Sequence, residues 1–172
     1  MKKLLIVVDY QNDFVSGALG FPGAREIEDA VCEKIRAYQS AGDDVVCTLD
    51  THEENYLETQ EGKKLPVPHC LYGTEGWRLY GKATALLEDC PKFEKPVFGS
   101  AALFDYLRKI PYESIELCGV VSNICVLSNA VLARTAQPET EILVDPACVA
   151  SSDSSLNEAA LAVLAGLQVT LL

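Results

Sequence analysis

Short apolar runs alternate with stretches of helical periodicity along the whole chain. The apolar runs are KKLLIVV (2–8), DVVCTL (44–49), PKFEK (91–95, short and weakly apolar), SIELCG (114–119), TEILVD (140–145) and QVTLL (168–172). Each has the length and bounding residues of a strand. Between them, 25–42 places Ile27, Ala30, Val31, Ile35 and Tyr38 on one helical face and stops at Gly42. Residues 77–90 suggest a helix interrupted by Gly81, 100–110 a further helix, Cys125 to about Thr135 another, and 154–167 one with a serine N-cap. Apolar strands joined by helical crossovers imply a parallel sheet covered on both faces. The expected fold class is therefore α/β: a three-layer, doubly wound, mainly parallel sheet of about six strands. No repeat, low-complexity tract or linker divides the chain, so residues 1–172 read as one domain. Residues 50–76 fit neither period. Loops beyond about 12–15 residues in compact domains are commonly functional or disordered.

Composition narrows the function. A formal net charge of -11 and a pI near 4.6 exclude nucleic acid and anionic membrane surfaces as natural partners. No apolar run approaches the roughly 18–20 residues of a spanning helix. The opening MKKLLIVVDYQND carries no small-residue cleavage site and reads as a strand, not a signal peptide. Seven cysteines, an odd number scattered through predicted elements, do not form a disulfide framework and point to a reducing cytoplasm.

In open parallel sheets, ligands bind beyond the carboxyl ends of the strands. Asp9, Asp50, Lys95 and Asp145 end four of the predicted strands, and Cys125 follows another after a short turn. Taken singly, each has an ordinary reading: an aspartate that shapes a turn, a solvated lysine, a cysteine acting as a small buried hydrophobe. Jointly they put acid, amine and thiol at one sheet edge. A helix start and the Lys95 ammonium would favour a Cys125 thiolate, forming below the ordinary thiol value of about 8.5. Asp9 would take the thiol proton and return it to a leaving amine, while backbone N–H groups near Cys125 hold an oxyanion. The chemistry expected is acyl transfer from an amide through a thioester.

The 50–76 loop carries both histidines of the chain, His52 and His69. Asp50 and His52, two apart in an extended segment, face the same way. With His69 they make a three-ligand set of the kind catalytic metal sites use, and Glu58 or Glu61 would be a fourth ligand. Cys70 is expected to point away, and the other cysteines read as core residues.

These segments resemble the cysteine hydrolases of the isochorismatase-like superfamily, and nicotinamidases most of all. VVDYQNDF (7–14) is similar to the family opening with its catalytic aspartate, here Asp9. DTHEEN (50–55) and PHCLYGTEGW (68–77) resemble the metal segments, KPVFGSAAL (95–103) the segment of the catalytic lysine, and GVVSNICV (119–126) that of the nucleophile. The resemblance spans nearly the whole chain and keeps the family order. It implies a catalytic set of Asp9, Lys95 and Cys125, a cis Val120–Val121 bond, and an oxyanion hole from the N–H groups of Val121 and Cys125. It also implies a divalent metal, zinc in the first place with iron or manganese as alternatives. Phe14, Trp77 and Phe98 would supply the ring-packing surface, although GSAAL is smaller than the usual nicotinamidase segment. The implied reaction is hydrolysis of nicotinamide to nicotinate and ammonia, a step of NAD salvage, by a homo-oligomer. The alternative within the family is an N-carbamoyl or other small amide. A phospho-receiver domain also has strand-end acids and a Lys-Pro pair, but Asp9 has no acidic neighbour. A nucleotide or flavin module would need a glycine-rich turn where DYQNDF stands.

Overall fold

The computed structural model describes all residues 1–172. Its strands are β1 (Leu4–Val8), β2 (Asp44–Asp50), β3 (Lys92–Lys95), β4 (Ser114–Val120), β5 (Glu141–Ala150) and β6 (Thr170–Leu171). They form one sheet in the order β3-β2-β1-β4-β5-β6, and every pair is parallel. The order reverses at β1, so chain crossovers leave in opposite directions on either side of it. A crevice opens at such a switch point.

The helices are α1 (Asn12–Val15), α2 (Pro22–Glu26), α3 (Glu28–Ala41), α4 (Gln60–Lys64), α5 (Ala83–Leu86), α6 (Ala101–Leu107), α7 (Leu127–Ala136) and α8 (Ser154–Gly166). Two separate apolar clusters show that both faces of the sheet are covered. On one face Leu5 and Val7 of β1 pack with Val31, Cys32 and Ile35 of α3. On the other Leu4, Ile6 and Val8 pack with Leu103 of α6, Ala130 of α7 and Leu164 of α8. The alternation along β1 is the period of two expected of a strand buried on both sides. At about 1.5–3 kcal/mol for each large apolar side chain buried, these layers hold the strand ends in place.

The three-layer architecture follows the expectation, and local details depart from it. The helix expected over 25–42 breaks at Ile27, whose backbone (φ −83°, ψ −1°) leaves the helical path. It ends as expected: Gly42, at φ +76°, donates its N–H to Gln39 and lets Asp43 reach the Tyr38 carbonyl. The helix expected over 77–90 shrinks to α5. Its first residues are held extended against the β1 exit, where Leu79 bridges Gln11 and the Tyr80 N–H donates to the Tyr10 carbonyl. The fifth strand runs five residues past Asp145, which therefore does not end it. Asp145 sits mid-strand, paired with Lys34 of α3 at 3.0 Å, away from the expected site. Gly119 lies at φ +108°, and a Cβ there would overlap the Val8 carbonyl oxygen, so only glycine lets β4 lie this close to β1. The long loop holds a 3₁₀ turn, Tyr56–Glu58, followed by α4, which Thr59 caps through the Gly62 N–H at 3.0 Å. No helix is long and apolar enough to cross a membrane.

Candidate active site

Strand register brings the site together. Asp50 and Lys95 are register partners at the ends of β2 and β3, and Val8, just before Asp9, is flanked by Thr48 of β2 and Gly119 of β4. Lys95, 1% exposed, points its ammonium at three groups: Asp9 Oδ2 at 2.7 Å, Asp50 Oδ1 at 2.9 Å and Cys125 Sγ at 3.5 Å. Asp9 is fully buried, with its backbone in the left-handed region at φ +46°. Its Oδ1 accepts the Thr48 hydroxyl at 2.6 Å. The approach of Lys95 to Oδ2 is an ion-pair contact without hydrogen-bond alignment, so this oxygen keeps acceptor capacity free for a proton.

Cys125 sits in a π-helical turn, Ser122–Val126, that joins β4 to α7. Val121 precedes the turn and follows a cis peptide bond from Val120. Its carbonyl accepts the N–H groups of Ile124 (3.1 Å) and Val126 (3.2 Å), the neighbours of Cys125 on either side. Cys125 thus lies in a tight turn, and the regular helix begins two residues later.

Charge and burial act against one another here. Burial raises the Asp9 carboxyl, with Lys95 pulling the other way. For Lys95, burial opposes the charge, but the Asp9, Cys125 and Asp50 groups hold its pKa above the ordinary value. For Cys125, burial and the Asp9 carboxylate raise the thiol well above its usual range, and Lys95 offsets only part of this. The expectation of a resting thiolate formed below 8.5 is therefore corrected. With a thiol 4% exposed beside a carboxylate, the proton stays on sulfur until a base takes it.

Next to this group, Asp50, His52, Glu61 and His69 bring one donor atom each to within 4.8 Å of the others. His52 Nε2 and His69 Nε2 lie 3.0 and 3.3 Å from Asp50 Oδ2, and 3.8 and 3.7 Å from Glu61 Oε1. Donors about 2.1 Å from a tetrahedral ion stand roughly 3.4 Å apart, so the set fits a divalent metal. His69 Nδ1 is spent on the Val67 carbonyl at 2.8 Å, which leaves Nε2 as the ligand atom. Tyr56 packs edge-on against both imidazoles, with centroids 4.7 and 5.0 Å away, and limits their rotation. Burial would lower His69, but Asp50 and the Val67 carbonyl outweigh it. The histidines and Lys95 likewise hold Asp50 below the carboxylate range against burial. Of the two glutamates expected as alternatives, Glu61 joins the cluster. Glu58 is exposed and outside it, because the 3₁₀ turn directs Tyr56 inward and Glu58 to solvent, while α4 turns Glu61 toward the histidines. Cys70 lies in the core, away from the donor set.

A cavity of about 270 Å³ opens onto both groups and is lined by Cys125, Asp50, Glu61 and His69 on its polar side and by Phe14, Phe98, Val121, Ile124 and Leu156 among its apolar residues. Phe14 and Phe98 thus stand where ring-packing residues were expected. Trp77 does not line the cavity. Its Nε1 donates to Thr51 Oγ1 at 2.8 Å and its ring packs on Tyr72, so it secures the loop after β2.

Three supporting residues had no assigned role. Gln11, fully buried, accepts the Asp50 N–H at 2.8 Å and donates to the carbonyls of Asp50 (2.9 Å) and Trp77 (2.7 Å). Asp13 accepts the Cys70 N–H at 2.8 Å and so fixes the residue after His69. Thr48 orients Asp9. Gln11 and Asp13 stand in VVDYQNDF, where two polar side chains directly after a buried strand were the available signal.

The isochorismatase domain profile matches residues 3–172. The chain belongs to this family. It is 36% identical over 144 residues to an uncharacterised isochorismatase family protein of Bacillus subtilis, covering 76% of this chain and 78% of that one. Among solved structures, a nicotinamidase/pyrazinamidase from Bacillus subtilis superposes with a TM-score of 0.89 at 32% identity, over 99% of both chains. A pyrazinamidase of Pyrococcus horikoshii in complex with zinc gives 0.87 at 27% identity, over 100% of this chain and 99% of that one. Membership of this hydrolase family and the paired acid–thiol and metal-type clusters make this a metal-assisted amidohydrolase of small amides.

Proposed function

We propose that this protein, a single domain over residues 1–172 acting in the reducing cytoplasm, hydrolyses nicotinamide to nicotinate and ammonia through a thioester on Cys125. The observation that carries the reading is one ammonium, Lys95, in contact with Asp9, Asp50 and Cys125 beside the Asp50–His52–Glu61–His69 donor set. Asp9 accepts the thiol proton as sulfur attacks the amide carbon. Its raised affinity for protons suits it to both halves of that exchange. Lys95 holds Asp9 in place and balances the charge on sulfur. The N–H groups of Val121 and Cys125 receive the developing oxyanion. Asp9 then protonates the departing nitrogen, ammonia leaves, and the thioester remains. Water enters, Asp9 takes one of its protons, the C–S bond breaks, and nicotinate and the thiol are released.

A divalent ion held by Asp50, His52, Glu61 and His69 would take the pyridine nitrogen by expanding to a fifth ligand and so orient the ring; zinc is the first candidate, since the Pyrococcus relative was solved with it. Phe14 and Phe98 flank that ring. The cavity is smaller than the roughly 300–1,000 Å³ of sites for drug-sized ligands, which suits a one-ring amide. No lysine or arginine lines it, so the cavity offers the carboxylate of an N-carbamoyl acid no cationic side chain, and its lining is mainly apolar. Ammonia release is to be measured across nicotinamide, pyrazinamide and N-carbamoyl amino acids. Nicotinamide and pyrazinamide should be turned over and the carbamoyl acids hardly at all. A preference for the carbamoyl acids would overturn the substrate assignment.

A further inference from the structure

Asn129 is the third residue of α7, one helical turn past Cys125, and has no exposed surface. Asparagine is a poor residue for a helix interior because its amide competes for backbone partners. A buried one therefore calls for a tertiary reason. Here every bond of its amide leads to the site. Oδ1 accepts the Ser100 N–H at 3.0 Å. Nδ2 donates to the Cys125 carbonyl at 2.8 Å and to the Phe98 carbonyl at 3.2 Å. The segment it grips follows Lys95 directly and carries the Phe98 wall of the cavity. Gly99 lies so close to α7 that a Cβ there would stand 2.9 Å from Leu132 Cδ1. One side chain thus ties the turn bearing the thiol to the segment bearing the wall and, three residues before Phe98, the ammonium.

We propose that Asn129 is a positioning residue, which sets the Lys95–Phe98 segment against the Cys125 turn without touching substrate. The proposal rests on the reading of Cys125 as the nucleophile. A displacement of about 1 Å between reacting groups can lower a rate about 100-fold. In full-length, metal-loaded protein, Asn129→Ala should lower kcat/KM for nicotinamide by about 10–100-fold, with KM raised and kcat reduced. Asn129→Ser keeps a donor that reaches the carbonyl four residues back, that of Cys125, but is too short for Phe98 or Ser100. It should recover most of the kcat while KM stays raised as in the alanine variant. This split is what a merely structural residue would not produce. If either variant, once folded, keeps KM within twofold of the native value and loses only thermal stability, the proposal fails. Should Asn129→Ala not fold, the serine variant decides alone. Cys125→Ala assayed alongside separates the two ideas: its retained amidase activity would sink the thioester reading, whatever Asn129 does.

Discussion

Replacing Lys95 by methionine removes one charge and keeps the stem of the side chain. The ammonium lies 3.5 Å from Cys125 Sγ. At an effective dielectric of about 20, a unit charge there stabilises a thiolate by about 5 kcal/mol. Lys95 is almost fully buried, so solvent screens little of this. Proton uptake by Asp9 and local relaxation recover part of the loss. If half remains, kcat/KM falls about 50-fold, and if all of it remains, about 3,000-fold. Stability should respond as well, because the ion-pair contacts at 2.7 and 2.9 Å vanish and Asp9 is left buried without its partner. Breaking such a pair costs about 3–5 kcal/mol.

The sign with pH follows from the same groups. The folded pKa of Lys95 is raised above 10.5, so its contribution is complete below that value and is lost only as pH climbs through the higher folded one. At pH 7 the native protein holds all of it and the methionine variant none. Burial raises Asp9 and Lys95 lowers it, so in the variant it rises further; on acidification the variant's Asp9 takes up its proton before the native one does, and the deficit shrinks as pH falls from the variant's value to the native one. The assays are steady-state ammonia release and urea unfolding between pH 4 and 9. A Lys95→Met protein with turnover within threefold of native, or with a stability deficit that does not narrow toward low pH, would refute the reasoning.

Cys125→Ala should fold normally and show no amidase activity above background. In the native enzyme the rate of iodoacetamide modification at Cys125 should keep rising past pH 8.5, since burial and Asp9 hold the thiol protonated; a plateau at neutral pH would restore the resting thiolate. Glu61→Gln should lower bound metal by elemental analysis, whereas Glu58→Gln should leave it unchanged; equal metal in both variants would remove Glu61 from the ligand set. Exhaustive chelation or His52→Ala should raise KM for nicotinamide and slow turnover while Cys125 still reacts with iodoacetamide. Benzamide, without a ring nitrogen, should be a poor substrate and lose little more on chelation, so an equal loss for both amides would argue against metal contact with the ring.

What the sequence made legible is what strand ends make legible. Asp9, Asp50 and Lys95 each close an apolar run, and a parallel sheet with its reversal at β1 carries such ends to one edge. The residues that failed are those whose position depends on contacts remote in sequence. Asp145 looked like a strand end because it closes the apolar run TEILVD, yet β5 continues through a register shift against β4 and delivers Asp145 to Lys34 instead. Trp77 closed the segment PHCLYGTEGW and opened the helix expected over 77–90, but Gln11 and Thr51 hold it at the β1 and β2 exits and turn the indole away from the cavity. Glu58 and Glu61 differ by one turn of backbone, and only the switch from a 3₁₀ turn to α4 decides which faces the histidines. The thiol is the sharpest case. A helix start and a neighbouring lysine are local features and argue for a thiolate. Burial is a tertiary quantity, and in a pocket that also holds Asp9 it reverses the sign. On the proposed mechanism the base is then a requirement of the site: a cysteine that rests protonated needs Asp9 to take its proton, and Asp9→Asn should therefore be as damaging as any change short of removing the sulfur, with a loss of about 10²–10⁴-fold in kcat/KM. A normal pH–rate profile in that variant would mean that the proton leaves by another route.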